Sequence, residues 1–425
     1  MELADLYDVF LTCDGVSTDT RAIGQNSIFF ALKGANFNGN AFAREALEKG
    51  ARLAVVDEEE YSGPNCILVD NALETLQNLA RFHRNQLHIP IIGLTGSNGK
   101  TTTKELMQAV LATRYRTLAT KGNLNNHIGV PLTILSINDQ HELAIIEMGA
   151  NHQREIAFLS SICQPDMGYI TNFGLAHLEG FGGKEGVIKG KSELYDFVRA
   201  HQRKVLVNYD DAKQMEKTEG LERVTFGTHP QAGLVFKPKD ESEAYLSLEC
   251  EGVSFTTHLT GKYNFSNVAA AITLGKYYQV PLEEASRAIA AYQPTNHRSQ
   301  IKETERNILV MDAYNANPSS MEAALENFGT LNARHKWAIL GDMFELGDSA
   351  EEQHLHIATL ATSLNLEKVL LVGTNFCRLP ASKNYEQFED LNALTEFLTV
   401  EDPRQKHILI KGSRGMKLER LEPLL

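Results

Sequence analysis

The sequence predicts an α/β protein of three domains: a small N-terminal α/β unit, a central P-loop-type domain on a mostly parallel sheet, and a C-terminal Rossmann-like α/β domain. Three observations carry this expectation. Short apolar runs alternate with amphipathic stretches along most of the chain, the pattern of parallel strands joined by crossover helices. One such run ends in a glycine-rich turn and a Lys-Thr pair that opens a helix. The length of 425 residues, set against roughly 150 per domain, allows two or three domains.

Composition narrows the function classes. A hydrophobic fraction of 43% supplies a core for each domain, and no apolar run reaches the ~18 residues a membrane span needs. The opening MELADLYDVF has neither the basic n-region nor the apolar h-region of a signal peptide. A cytoplasmic protein without membrane insertion is expected, as a monomer. The formal net charge of −13 argues against a broad nucleic-acid surface while leaving room for a local basic pocket. Cys13, Cys66, Cys163, Cys250 and Cys377 stand far apart without metal-ligand spacing, so reduced thiols are expected.

Residues 1–88 predict the first unit, with strands at 27–32 and 53–57 around a helix at 40–48, then a helix at 72–86 before Pro90. Two polar, glycine-punctuated loops flank the first of these strands. One carries Ser17, Thr18, Asp19 and Arg21, the other Asn38 and Gly39. From the residues alone, turns and a binding surface are both open.

Residues 89–295 predict the central domain. The run 91–94 is a buried strand, Gly96, Ser97, Asn98 and Gly99 form the turn, and Lys100, Thr101 and Thr102 open a helix. Such a loop points backbone N–H groups and the positive end of a helix at a polyphosphate. Lys100 reaches the terminal phosphates and the Thr101 hydroxyl suits Mg²⁺. Leu94 stands where the general motif wants its first glycine, which makes ordinary kinases and GTPases a poorer match. Strands are expected at 143–148, 167–171 and 204–208, with ligands at their carboxyl ends. Glu147 lies inside the first, costly to bury as a lone charge and suited to Mg²⁺; a strand-end carboxylate bonded to loop amides is the alternative. His177 falls in a glycine-rich loop after the second. Lys191 is read as a helix-start lysine, ordinarily a surface cation. Asn123, Asn125 and Asn126 precede a predicted strand in a loop suited to amide groups or to a turn. A β-rich stretch at 245–259 is followed by a helix carrying Asn264 and Asn267.

Residues 296–425 predict the third domain, with strands at 307–312, 336–340, 368–372 and 407–411. Asp312 and Asn315 follow the first strand, and Pro318 marks a helix start.

The wording Thr-Gly-Ser-Asn-Gly-Lys-Thr-Thr, ending at Thr102, is similar to the ATP loop of the Mur ligase and folylpolyglutamate synthetase superfamily, enzymes that join an acid to an amine. Further motifs make the chain resemble the Mur ligases over nearly its whole length. The resemblance implies ATP and Mg²⁺, with Thr101, Glu147, His177 and Lys191 at the metal. Lys191 would carry a CO₂-derived carbamate, which turns a cation into an oxygen donor. It also implies nucleotide contacts from Asn264, Asn267, Arg298, Asp312 and Asn315; Tyr263 replaces the usual histidine nearby. The two N-terminal loops would hold the UDP of a nucleotide-sugar peptide. Asp-Ala-Tyr-Asn-Ala-Asn-Pro from Asp312 and Leu340-Gly-Asp-Met-Phe-Glu-Leu-Gly347 resemble the branch that adds D-alanyl-D-alanine to UDP-N-acetylmuramoyl-tripeptide, with Asp342, Ser413 and Arg414 at the dipeptide. A folylpolyglutamate synthetase, which would lack the UDP-type first domain, and an inert nucleotide-binding relative stay open.

Overall fold

The computed structural model describes residues 2–239, 245–294 and 298–425. The expected junction of the second and third domains, at 295/296, lies outside the described residues. Among the described residues three larger sheets form. In the first, Gly15–Ser17, Ser27–Phe30, Leu53–Val56 and Cys66–Leu68 run parallel in that order. The loops after its first two strands therefore leave the same edge of the sheet. The helix Ala72–Gln86, capped by Asn71 accepting from the Glu74 N–H, buries Leu76, Leu79 and Ala80 in a core shared with Ile28, Phe30 and Val55.

The central sheet has the phosphate-loop strand Ile91–Thr95 between Leu143–Glu147 and Met167–Ile170, all parallel. Thr117–Ala119 lies beyond Leu143–Glu147, and Lys204–Asn208, Glu222–Gly227 and Leu234–Pro238 continue beyond Met167–Ile170. Ser247–Cys250 and Val253–Thr256 close that side as antiparallel strands. The reversal of strand order beside Ile91–Thr95 opens a crevice at the carboxyl ends, the ligand position of doubly wound sheets. The helix Phe265–Tyr277 lies on the phosphate-loop helix Lys100–Leu111, where Gly275 permits the approach: a Cβ there would stand 2.4 Å from Val110 Cγ1.

The third sheet orders Gln300–Glu303, Ile308–Met311, His407–Lys411, Lys336–Gly341, Lys368–Val372 and Glu386–Phe388, parallel after an antiparallel first pair. Asn317 caps the helix Pro318–Thr330, with Pro318 at its start. No described helix is long and apolar enough to cross a membrane. The cysteines are free, with Cys163 and Cys250 buried.

Two expectations are corrected. The run after Asn126 is a helix, Gly129–Leu135, and not a strand. Pro131 gives a sheet no N–H but is tolerated in a first helical turn, and Asn126 Oδ1 receives the N–H groups of Ile128 and Gly129 at 3.1 and 2.9 Å. Lys191 is not at a helix start, because the helix runs from Lys184 to Ala200. Gly186 and Gly190 inside it are spacers for the neighbouring turn, since added Cβ atoms would meet the Phe181 carbonyl oxygen at 1.8 Å and its ring at 2.4 Å.

Candidate active site

A cavity of about 1280 Å³ opens at the carboxyl ends of the central strands and is closed on its far side by the third domain. The phosphate loop forms its floor. Gly96 and Gly99 have φ of +142° and +78°, and both are pressed from behind. A Cβ on Gly96 would stand 1.9 Å from Thr171 Oγ1, and one on Gly99 2.5 Å from Asn267 Oδ1. Gly96→Ala is therefore expected to displace the loop and abolish ADP binding in titration calorimetry, since strain and collision act together. Ser97 Oγ donates to the Gly174 carbonyl at 2.7 Å, and Asn172 accepts the Asn98 N–H at 3.1 Å. Lys100 Nζ donates to the carbonyls of Gly96 and Ser97 at 2.8 and 3.1 Å. Burial, with a smaller contribution from Arg298, lowers its pKa against the opposing pull of Glu147.

Glu147 is 1% exposed at the end of its strand. Its Oε1 accepts from Asn125 Nδ2 at 2.8 Å and Thr101 Oγ1 at 3.2 Å; Oε2 has no hydrogen bond. Lys104, 2% exposed and not foreseen, stands 3.6 Å from Oε2 and donates to the Gly122 carbonyl at 3.2 Å. Asn123, Asn125 and Asn126 of the expected amide-binding trio all line the cavity, although Asn125 Nδ2 is given to Glu147 and Asn126 Oδ1 to the N–H groups of Ile128 and Gly129.

Lys191 is not the surface cation its local sequence allows. It is 1% exposed, donates to the Ala150 carbonyl at 3.2 Å and lies 5.1 Å from the Phe181 ring centroid. Burial, aided by Lys100, holds its pKa well below the ordinary lysine value. His177, with φ +53°, lines the cavity, and its Nδ1 contacts the carboxylate of Glu345 from the third domain. Burial lowers its pKa while Glu345 opposes the shift. Among the described residues no three His, Cys, Asp or Glu side chains form a metal cluster.

Asn264 and Asn267 line the cavity but are buried and bonded to each other, Asn267 Nδ2 to Asn264 Oδ1 at 2.8 Å, while Asn267 Oδ1 accepts from Thr103 Oγ1 at 2.9 Å. Their amides brace helix against loop. Tyr263 donates to or accepts from Ser299 Oγ at 2.8 Å. Arg298 lies with its guanidinium carbon 3.8 Å from the Tyr314 ring centroid, its Nε without a partner. Asp312 accepts from Lys411 Nζ at 2.6 Å and from the Ser299 N–H at 3.2 Å. Asn315 lines the cavity beside them.

Asp342, Ser413 and Arg414 do not line it. Asp342 accepts the N–H groups of Asn375 and Phe376 at 2.9 and 3.0 Å, a scaffold role that its buried position dictates. Ser413 is buried and accepts the Phe344 N–H at 2.9 Å, and Arg414 is exposed, pairing with Glu419 at 3.3 Å. The N-terminal residues also stand apart from the cavity. Asp19 clamps the exposed Arg21 at 2.6 Å, Ser17 Oγ donates to the Asp19 carbonyl at 3.1 Å, and Thr18 lies between them. Asn38 accepts the Asn40 N–H at 3.0 Å, and Gly39 is pressed on the Leu32 carbonyl, where a Cβ would come within 2.4 Å.

Residues 12–92 match the Mur ligase family catalytic domain, 94–275 the Mur ligase middle domain and 297–414 the Mur ligase glutamate ligase domain. The chain is 34% identical over 421 residues to the UDP-N-acetylmuramoyl-tripeptide–D-alanyl-D-alanine ligase of Bacillus subtilis, covering 96% of this chain and 92% of the relative. The chain belongs to the Mur ligase family. Among solved Mur ligases, MurF from Acinetobacter baumannii superposes with a TM-score of 0.87 at 30% identity, covering 96% of this chain and 92% of that one. MurF from Thermotoga maritima in complex with ADP gives 0.85 at 26% identity, with 98% and 97% covered. In this Mur ligase Lys104, Asn172, Lys411 and Glu345 escaped sequence reasoning. Only Lys104 had a signal: a carboxylate within an apolar strand requires a cation.

Proposed function

We propose that this Mur ligase joins D-alanyl-D-alanine to UDP-N-acetylmuramoyl-tripeptide, driven by ATP, in cytoplasmic synthesis of a peptidoglycan precursor. One observation carries the reading. The phosphate loop, the buried Glu147 and the third-domain residues Asp312 and Asn315 face one cavity in a chain whose near-full-length relatives bear that ligase name.

ATP phosphates are assigned to the backbone N–H groups of residues 97–101 and the helix N-terminus, with Lys100 as counter-charge and Arg298 as a second cation. The nucleoside end is assigned to the wall carrying Asn264, Asn267, Asp312 and Asn315. The UDP group is assigned to the loops with Ser17, Thr18, Asp19, Arg21, Asn38 and Gly39, and the dipeptide to the third domain. The residues fit a hard cation, because Glu147 Oε2 is buried without a hydrogen bond and the Thr101 hydroxyl stands at its other oxygen. Mg²⁺ held by Thr101, Glu147, His177 and carbamoylated Lys191 would disperse charge on the phosphates. Lys191 suits carbamoylation: its buried amine lacks a carboxylate partner among the described residues, and its lowered pKa favours the neutral, nucleophilic form.

A carboxylate cannot expel oxide, so the tripeptide carboxylate oxygen first attacks the γ-phosphorus and the bond to ADP breaks. Lys100 offsets charge as the phosphoryl group moves. The dipeptide amine then attacks the acyl phosphate carbonyl, phosphate leaves, and the amine gives up a proton. The test is ATP-dependent ligation of the two substrates, with folate plus glutamate as the contrast. Lys100→Ala is expected to lose ligation and ADP release while keeping the parent circular dichroism. Activity within about tenfold of the parent, about 1.4 kcal/mol of barrier, would overturn the phosphate-loop assignment.

A further inference from the structure

The motif Leu340-Gly-Asp-Met-Phe-Glu-Leu-Gly347 is fastened from inside the third domain. Asp342 holds the turn at Asn375 and Phe376, the Met343 N–H donates to His354 Nε2 at 3.0 Å, and the Phe344 N–H donates to Ser413 Oγ at 2.9 Å. The next residue, Glu345, leaves this anchorage and crosses to the central domain. It adopts φ +62°, and its partner His177 adopts φ +53°. Two non-glycine residues in the left-handed region, one from each domain, meet side chain to side chain. The contact does not stand alone. The Glu179 N–H donates to the Glu345 carbonyl at 3.3 Å, the Leu175 N–H to Ser319 Oγ at 2.7 Å, and Asn317 Nδ2 to Asn98 Oδ1 at 2.7 Å. The third domain thus grips the His177 loop and the phosphate loop together.

We propose that Glu345 is a positioning residue for His177, supplied by the third domain when it seats on the central one. The inference rests on the assignment of His177 to the metal made above. An imidazole is able to bind a cation through either nitrogen, and a carboxylate on Nδ1 settles both the tautomer and the ring orientation, leaving Nε2 as the lone-pair donor. Because Glu345 belongs to the domain assigned to the amine substrate, the metal site is completed only when that domain is in place. An acyl phosphate, which water destroys, is then formed only where the third domain covers the site.

The experiment uses the full chain and Glu345→Ala and Glu345→Gln variants, with Mn²⁺ as the probe in the presence of ADP. Glu345 is largely exposed, so the variants are expected to fold. Nitrogen-15 histidine spectra, with His177 assigned by its Gln substitution, are expected to show the Nδ1–H tautomer in the parent and its loss in Glu345→Ala. Mn²⁺ affinity, read by electron paramagnetic resonance of the free ion, is expected to fall about 10- to 100-fold in Glu345→Ala, the usual effect of losing a ligand's outer partner. Glu345→Gln, whose amide oxygen still accepts from Nδ1–H, is expected to recover part of both signals, and the KM for D-alanyl-D-alanine is expected to change little. An unaltered tautomer and Mn²⁺ affinity in Glu345→Ala would overturn the proposal. So would a raised dipeptide KM at unchanged Mn²⁺ affinity, which would make Glu345 a grip for the substrate ammonium. A parent that bound no Mn²⁺ with ADP would overturn the metal assignment itself.

Discussion

Lys191→Ala is expected to be nearly inactive and to regain part of its activity when acetate or formate is added. The amine is buried, its only hydrogen bond among the described residues is to the Ala150 carbonyl, and burial holds its pKa well down. A bare ammonium there would repel a divalent cation, whereas a carbamate offers it two oxygens. The sign of the pH effect follows. The lowered pKa means that the reactive neutral amine persists to a lower pH than an ordinary lysine allows, and acidification below it protonates the amine and expels CO₂. Parent enzyme stripped of bicarbonate at mildly acid pH should be slow and recover on adding bicarbonate, as followed by phosphate release. Lys191→Arg should stay inactive, since guanidinium forms no carbamate. Normal turnover in either variant would remove the carbamate from the mechanism.

Glu147→Ala is expected to damage both catalysis and stability. It removes the buried carboxylate assigned to the metal and leaves Lys104, 2% exposed, without its counter-charge. Breaking such a pair from one side costs about 3 to 5 kcal/mol, largely through the stranded ion. The denaturation midpoint of the central domain should fall accordingly, measured by the fluorescence of a probe placed there. Adding Lys104→Met to Glu147→Ala should recover most of the midpoint and none of the ligation. If the single variant proved as stable as the parent, Lys104 would have to find its compensation elsewhere.

The sequence by itself determined the elements and the floor of the site. The strand Ile91–Thr95, the helix Ala72–Gln86, the strand Lys204–Asn208 and the helix start at Pro318 fall where periodicity and the proline placed them. These are local properties, set by side chains a few residues apart. The phosphate loop was legible for the same reason: its glycines, Lys100 and Thr101 are contiguous. Where local signals had two solutions, the tertiary structure chose. Gly186 and Gly190 stand within the helix Lys184–Ala200 because Phe181 fills the space their missing Cβ atoms leave. The apolar run after Asn126 became a helix because Pro131 cannot serve a sheet ladder. Asp342 and Ser413, which the resemblance placed at the dipeptide, brace a loop and do not line the cavity. Pairings between distant segments, Lys104 with Glu147 and His177 with Glu345, were beyond local pattern, because their partners meet only after the strands order and the third domain seats. The burial that sets Lys191 apart from Lys189 was likewise decided by packing around the helix, since one sequence neighbourhood offers both lysines the same charge and only the tertiary structure withdraws one of them from water.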